Sequence, residues 1–284
     1  DSGIVLGVSG QPQMRLVNYD VASDDIQPGG QVEVALTWEV VGDMARNWSV
    51  FIHLSDPNDI VVAQRDTYPG VGLLATSDLP VGRAWVDHYV IPIPETAYAP
   101  DETRLLVGLY DYETGERMTI IGEGSNALEL ATIEIAGSPD ADIPNPVTFN
   151  FGNEMALTGY QLDRRQARAD ETLTLTLYWQ GLRPMAHNYT IFAHVLGPET
   201  RLYGQEDSWP LNGSYPTTAW EPGEIVEDTY QLTLADDTPP GVYDIEVGVY
   251  WLDDEGHIER LQIVTEDGRL VQDYVLLTKI RVNE

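Results

Sequence analysis

Two stretches of this chain are versions of one another. Leu173 to Pro198 reads LTLTLYWQGLRPMAHNYTIFAHVLGP, and Val32 to Pro57 reads VEVALTWEVVGDMARNWSVFIHLSDP. The offset is constant: 179 − 38 = 141 for the two tryptophans, and 194 − 53 = 141 for the two histidines. A chain repeated at this interval is two copies of one module. At 284 residues it is long enough for each copy to bury a core of its own.

Within each copy the periodicity is that of strands. Val32, Val34, Leu36 and Trp38 alternate with Glu33, Ala35, Thr37 and Glu39, as Leu173, Leu175, Leu177 and Trp179 alternate with polar neighbours. A period of two buries one face of a strand and wets the other. The tryptophans are expected to seal a core between two sheets. The next strands, 48–54 and 189–195, carry bulk on both faces and are expected mid-sheet with the second face partly covered. Pro- and Gly-rich turns separate seven or eight short strands per copy, and no amphipathic helix of three turns is visible. This profile predicts two tandem immunoglobulin-like antiparallel β-sandwiches, with jelly-roll sandwiches as the alternative. Tyr243 follows a Pro-Gly corner at the start of the penultimate strand, where immunoglobulin-like folds place a tyrosine corner; the first copy has Thr103 near that position. The expected boundaries are 1–136 and 149–284, joined by a Pro-rich linker over 137–148.

Charge restricts the partners. The formal net charge is −31, from 46 acidic and 15 basic residues. Such a field repels phosphate backbones and anionic lipid surfaces, so nucleic acid is not an expected partner. It attracts cations or a basic partner. There is no cysteine, which excludes disulfides and thiolate chemistry. No apolar run approaches the ~20 residues of a membrane span, so direct insertion of this segment is not expected.

Three polar positions recur in both copies: His53, Gln64 and Asp66, answered by His194, Gln205 and Asp207. Tyr110 and Tyr250, beside Gly108 and Gly248, fall on the same face if the strands are neighbours in one sheet. A flat ring beside imidazole, amide and carboxylate groups suits a sugar. The same groups equally suit a structural hydrogen-bond network between adjacent strands. Trp220, with Trp209 and Tyr215, lies in a crossing segment and forms a ligand platform if exposed or a cap on the sandwich if tucked in. Metal-ligand spacing, a nucleophile elbow and an EF-hand loop are all missing, so neither a metal, a cofactor nor a catalytic residue is expected.

The runs Leu177-Tyr178-Trp179-Gln180, Tyr189 to Val195, Gln205-Glu206-Asp207, Pro222-Gly223-Glu224, Pro239 to Tyr243 and Val247 to Tyr250 resemble a β-sandwich repeat. That repeat is appended to the C-terminal side of multi-spanning membrane glycosyltransferases of the dolichyl-phosphate-mannose-dependent mannosyltransferase type. The resemblance covers nearly the whole chain, once per copy. In the first copy Asp78-Leu79-Pro80-Val81-Gly82 stands where the second has Ala219-Trp220-Glu221-Pro222-Gly223, so a ligand contact at Trp220 has no counterpart there. The resemblance implies an extracytoplasmic module, at the cell surface or secreted, tethered to a membrane protein and without enzymatic activity. The expected function is binding or scaffolding for a cell-surface glycosylation protein, with a glycan or another surface protein as partner. The alternatives are a structural spacer or adhesion domain, and a carbohydrate-active enzyme, for which no carboxylate pair stands out.

Overall fold

The computed structural model of the chain describes residues 3–23, 25–138 and 142–284. The described residues are all-β, with only single 3-10 turns beside the strands. They fall into two compact units, Asp1–Glu95 with Ala99–Gly137, and Thr96–Tyr98 with Ser138–Glu284. Of the expected linker, Pro139, Asp140 and Ala141 lie outside the described residues. Its last three positions, 146–148, already belong to a strand.

The first unit contains β1 (Ile4–Val8), β2 (Gln11–Ala22), β3 (Gln31–Val40), β4 (Ser49–Ser55), β5 (Val61–Thr67), β6 (Ala84–Pro92), β7 (Asp101–Tyr110), β8 (Thr119–Ile120) and β9 (Leu128–Ile135). They form two antiparallel sheets, in the orders β6-β3-β2-β1-β8 and β5-β4-β7-β9. The second unit contains β10 (Pro146–Phe151), β11 (Met155–Leu162), β12 (Gln166–Ala167), β13 (Thr172–Gly181), β14 (Thr190–Leu196), β15 (Leu202–Ser208), β16 (Ile225–Thr233), β17 (Gly241–Leu252), β18 (Ile258–Arg260), β19 (Ile263–Val264) and β20 (Tyr274–Val282). Its sheets run β16-β13-β11-β10-β19 and β12-β20-β17-β14-β15, with β18 added to β17. Strand for strand this is the order of the first unit; the additions are β18 and the short parallel pair of β12 with β20.

The alternation read from the sequence is what closes each unit. Val32, Val34, Leu36, Trp38 and Val40 of β3 are buried, as are Val50, Ile52 and Leu54 of β4 and Leu105, Val107 and Leu109 of β7. In the second unit Leu173, Leu175, Leu177 and Trp179 of β13 share one core with Ile191, Ala193 and Val195 of β14 and with Ile245, Val247 and Val249 of β17. Each core therefore lies between two sheets, in a sandwich-like arrangement, with a tryptophan from one sheet wholly enclosed. At the start of β17 the Tyr243 hydroxyl donates to the Pro239 carbonyl at 2.6 Å, pinning the strand to the turn before it. The corresponding place in the first unit is filled by Thr103, whose hydroxyl donates across to Ile133 O at 2.9 Å.

Candidate functional site

The recurring polar residues meet on the face of the β5-β4-β7 and β15-β14-β17 sheets that points away from the core. Register brings them together. In the first unit Phe51 stands opposite Asp66 on one side and Gly108 on the other, and His53 stands opposite Gln64 and Leu106. In the second unit Phe192 stands between Asp207 and Gly248, and His194 between Gln205 and Glu246.

A phenylalanine that the sequence reading did not single out forms the base of each group. Phe51 and Phe192 are each only 1% exposed, although they lie on the outer face. Each ring lies across a glycine: a Cβ on Gly108 would stand 2.4 Å from Phe51 Cζ, and one on Gly248 would stand 2.2 Å from Phe192 Cζ. Any side chain there would displace the ring, so the glycines are fixed by close approach. Over each ring lies an arginine, Arg117 at 4.2 Å from the Phe51 centroid and Arg260 at 4.6 Å from that of Phe192. His53 and His194 flank the same rings, with centroids 5.0 and 4.7 Å away.

On this base the polar groups bond to one another. His53 Nε2 lies 3.0 Å from Asp66 Oδ1. His194 Nε2 lies 3.1 Å from Asp207 Oδ1, and its Nδ1 lies 3.2 Å from Glu246 Oε2. The Tyr250 hydroxyl donates to Asp207 Oδ2 at 3.3 Å. A neutral imidazole has a single N–H, whereas two carboxylates facing its two nitrogens need two donors, so the geometry calls for the imidazolium. Burial pushes the His194 pKa down, but the hydrogen bonds and charges of Asp207 and Glu246 outweigh it and raise the value to about 9. The Tyr110 and Tyr250 hydroxyls are both pushed up, by burial first and then by the nearby Asp66 and Asp207 charges.

The two units differ in what stands opposite the histidine on the third strand. Opposite His53 on β7 is Leu106, and the residue paired with Leu106 on β9 is Glu129. Opposite His194 on β17 is Glu246, paired on β20 with Leu276. The apolar and acidic members of this cross-strand pair have exchanged places. Only in the second unit does the carboxylate stand next to the histidine.

Of the expected site residues, His53, Asp66 and Tyr110 lie together on one such face, and His194, Asp207 and Tyr250 on the other. Gln64 and Gln205 are exposed opposite the histidines and make no side-chain hydrogen bond among the described residues. Trp220 requires a correction. It is 3% exposed, is part of the core, and its indole N–H donates to Tyr215 O at 3.3 Å, so no ring face is open to a ligand. It follows the 3-10 turn Thr217–Ala219, and its ring joins the apolar core, where a large aromatic surface is removed from water.

A second repeated feature escaped the sequence reading. Asp87 of β6 and Asp228 of β16 are buried among apolar inward positions. Asp87 accepts from Gly70 N at 2.9 and 3.0 Å, Trp85 Nε1 at 2.9 Å and Tyr89 Oη at 3.0 Å. Asp228 accepts from Leu211 N at 2.9 Å and from the Tyr230 hydroxyl. Burial pushes the Asp228 carboxyl above its ordinary range, and Tyr230 well above its own. Each aspartate ties the crossing segment to the sheet edge. The signal was present, since an aspartate interrupts the apolar face of WVDHYV and again that of IVEDTYQL, at the same place in both copies.

Among the described residues no group of three or more His, Cys, Asp and Glu side chains is placed to hold a metal ion, and no helix is long and apolar enough to cross a membrane. The chain matches no protein-family model and no curated protein.

Proposed function

We propose that the chain is a non-catalytic accessory module whose two immunoglobulin-like sandwiches act as a scaffold for a cell-surface glycosylation protein. The immunoglobulin-like reading is supported by the split of strands between the sheets, with β6-β3-β2 facing β5-β4-β7-β9 and the same split repeated in the second unit. The bond from the Tyr243 hydroxyl to a carbonyl four residues upstream supports it further, since that is what a tyrosine corner does. The extracytoplasmic, membrane-tethered setting is supported by the resemblance to the C-terminal region of membrane glycosyltransferases.

One observation carries the scaffolding reading: the imidazoles and carboxylates that sugar binding or acid–base chemistry would use are bonded to each other in both units. A bound sugar would have to break those bonds to make its own. The outer faces are thereby stiffened sheets. Glycan binding is the second reading, favoured by the exposed Gln64 and Gln205 opposite the histidines. A glycan array with the wild-type chain and His194→Ala separates the two. Scaffolding expects no glycan retained above background and a lower Tm for His194→Ala. Retention of a glycan that His194→Ala abolishes at unchanged Tm would overturn it in favour of glycan binding.

A further inference from the structure

The hairpin that extends β17 beyond the sandwich is built unlike its counterpart in the first unit. There the chain after β7 makes only an isolated bridge, Tyr110 to Arg117. In the second unit β17 continues and β18 pairs with it, Tyr250 opposite Arg260, Trp251 opposite Glu259 and Leu252 opposite Ile258. Among the described residues β18 pairs with no other strand, so its outer edge is open.

The ladder fixes what that edge presents. Asp253 N donates to His257 O at 3.0 Å, and Leu261 N donates to Val249 O at 2.9 Å. Alternation along an antiparallel pair then makes Trp251 and Glu259 the hydrogen-bonded pair between them. Ile258 and Arg260 belong to the intervening pairs, so their N–H and C=O groups point outward. Beside them Leu252 and Ile258 form an apolar cross-strand pair, 58% and 62% exposed. Proteins usually protect such an edge with inward charge, proline or a covering loop. Here the turn Asp253-Asp254-Glu255-Gly256 follows the apolar pair at the end of the hairpin and Glu259 lies on the opposite face of the ladder, and Asp254 and Glu259 have no ion-pair partner among the described residues. The chain's net charge of −31 adds to their negative charge and opposes a second copy of this chain as the occupant.

We propose that the open edge of β18 takes an extended, basic segment of a partner protein as an added strand. The outward N–H and C=O groups of Ile258 and Arg260 supply main-chain bonds, Leu252 and Ile258 receive apolar side chains from alternate positions of the segment, and Asp254, Glu255 and Glu259 receive its lysines or arginines. The proposal goes beyond the scaffolding reading, because it holds or fails whether or not the outer face of the sheet binds a glycan.

The test uses the full chain and two fluorescein-labelled peptides of equal charge. One alternates valine and lysine; the other has prolines in place of the valines and cannot join a sheet. Anisotropy at moderate salt is expected to show the alternating peptide binding at least about tenfold more tightly than the proline peptide. Ile258→Pro removes an outward N–H and an apolar contact while leaving the β17–β18 bonds in place, and is expected to abolish that difference. A Leu252→Ser, Ile258→Ser double variant makes the same test without a backbone change, and circular dichroism verifies that each variant keeps its fold. Equal binding of the two peptides, or a preference that both variants retain, would reduce the effect to the attraction of any polycation and overturn the proposal.

Discussion

His194 is the residue whose charge the fold determines. Its pKa is raised, to about 9, so the stabilisation from its two carboxylate partners is fully present below the unfolded histidine value of about 6.5 and is lost as pH rises through 9. The unfolding free energy of the wild type, compared with that of His194→Gln, should therefore show an advantage that shrinks from pH 6.5 to 9. An advantage independent of pH in that window would contradict the imidazolium assignment. Glu246→Leu installs at this position the residue type found at Leu106 and should move the His194 titration midpoint downward, as read from its ring resonances by NMR. The histidine and Asp207 were legible in the sequence because they recur at one offset. Glu246 was not, because a leucine holds the equivalent place and its acidic counterpart lies on another strand, at Glu129.

At the scale of elements, the outer face of β14 and β17 is a second, smaller packing layer. Gly248 leaves room for the Phe192 ring over which Arg260 stands, and Gly108 does the same for Phe51 under Arg117. Gly248→Ala should lower stability by about 1–3 kcal/mol, because one added methyl has no space to enter; urea unfolding measures it. The edge strand has its own tie. Asp228→Ala leaves the Leu211 N–H and the Tyr230 hydroxyl without their acceptor, and should cost about 2–5 kcal/mol. Asp228→Asn keeps an acceptor and should cost less. Equal losses for the two variants would mean that the backbone tie contributes little.

For the whole molecule the governing quantity is the net charge of −31, set by 46 acidic against 15 basic residues. Too few cations are present to pair the carboxylates, so self-repulsion works against the compact state. Added salt screens this repulsion, with a Debye length of about 10 Å at 0.1 M. The Tm should therefore rise by several degrees between roughly 0.02 and 0.5 M sodium chloride. A Tm that falls would mean that the surface ion pairs, such as Arg15 with Glu39, contribute more than the repulsion removes.

The duplicated plan, the strand class and the inward residues of β3 and β13 were legible in the sequence alone, whereas β4 and β14 carry bulk on both faces and their inward side was not. Alternation with period two and a constant offset are local signals, and burial follows directly from them. What only the tertiary structure decided concerns partners chosen across strands. The burial of Trp220, the exchange of Glu246 and Leu276 relative to Leu106 and Glu129, and the open edge of β18 all depend on register and strand order. Those are set by contacts between segments far apart in the chain, and a single sequence holds no local signal for them.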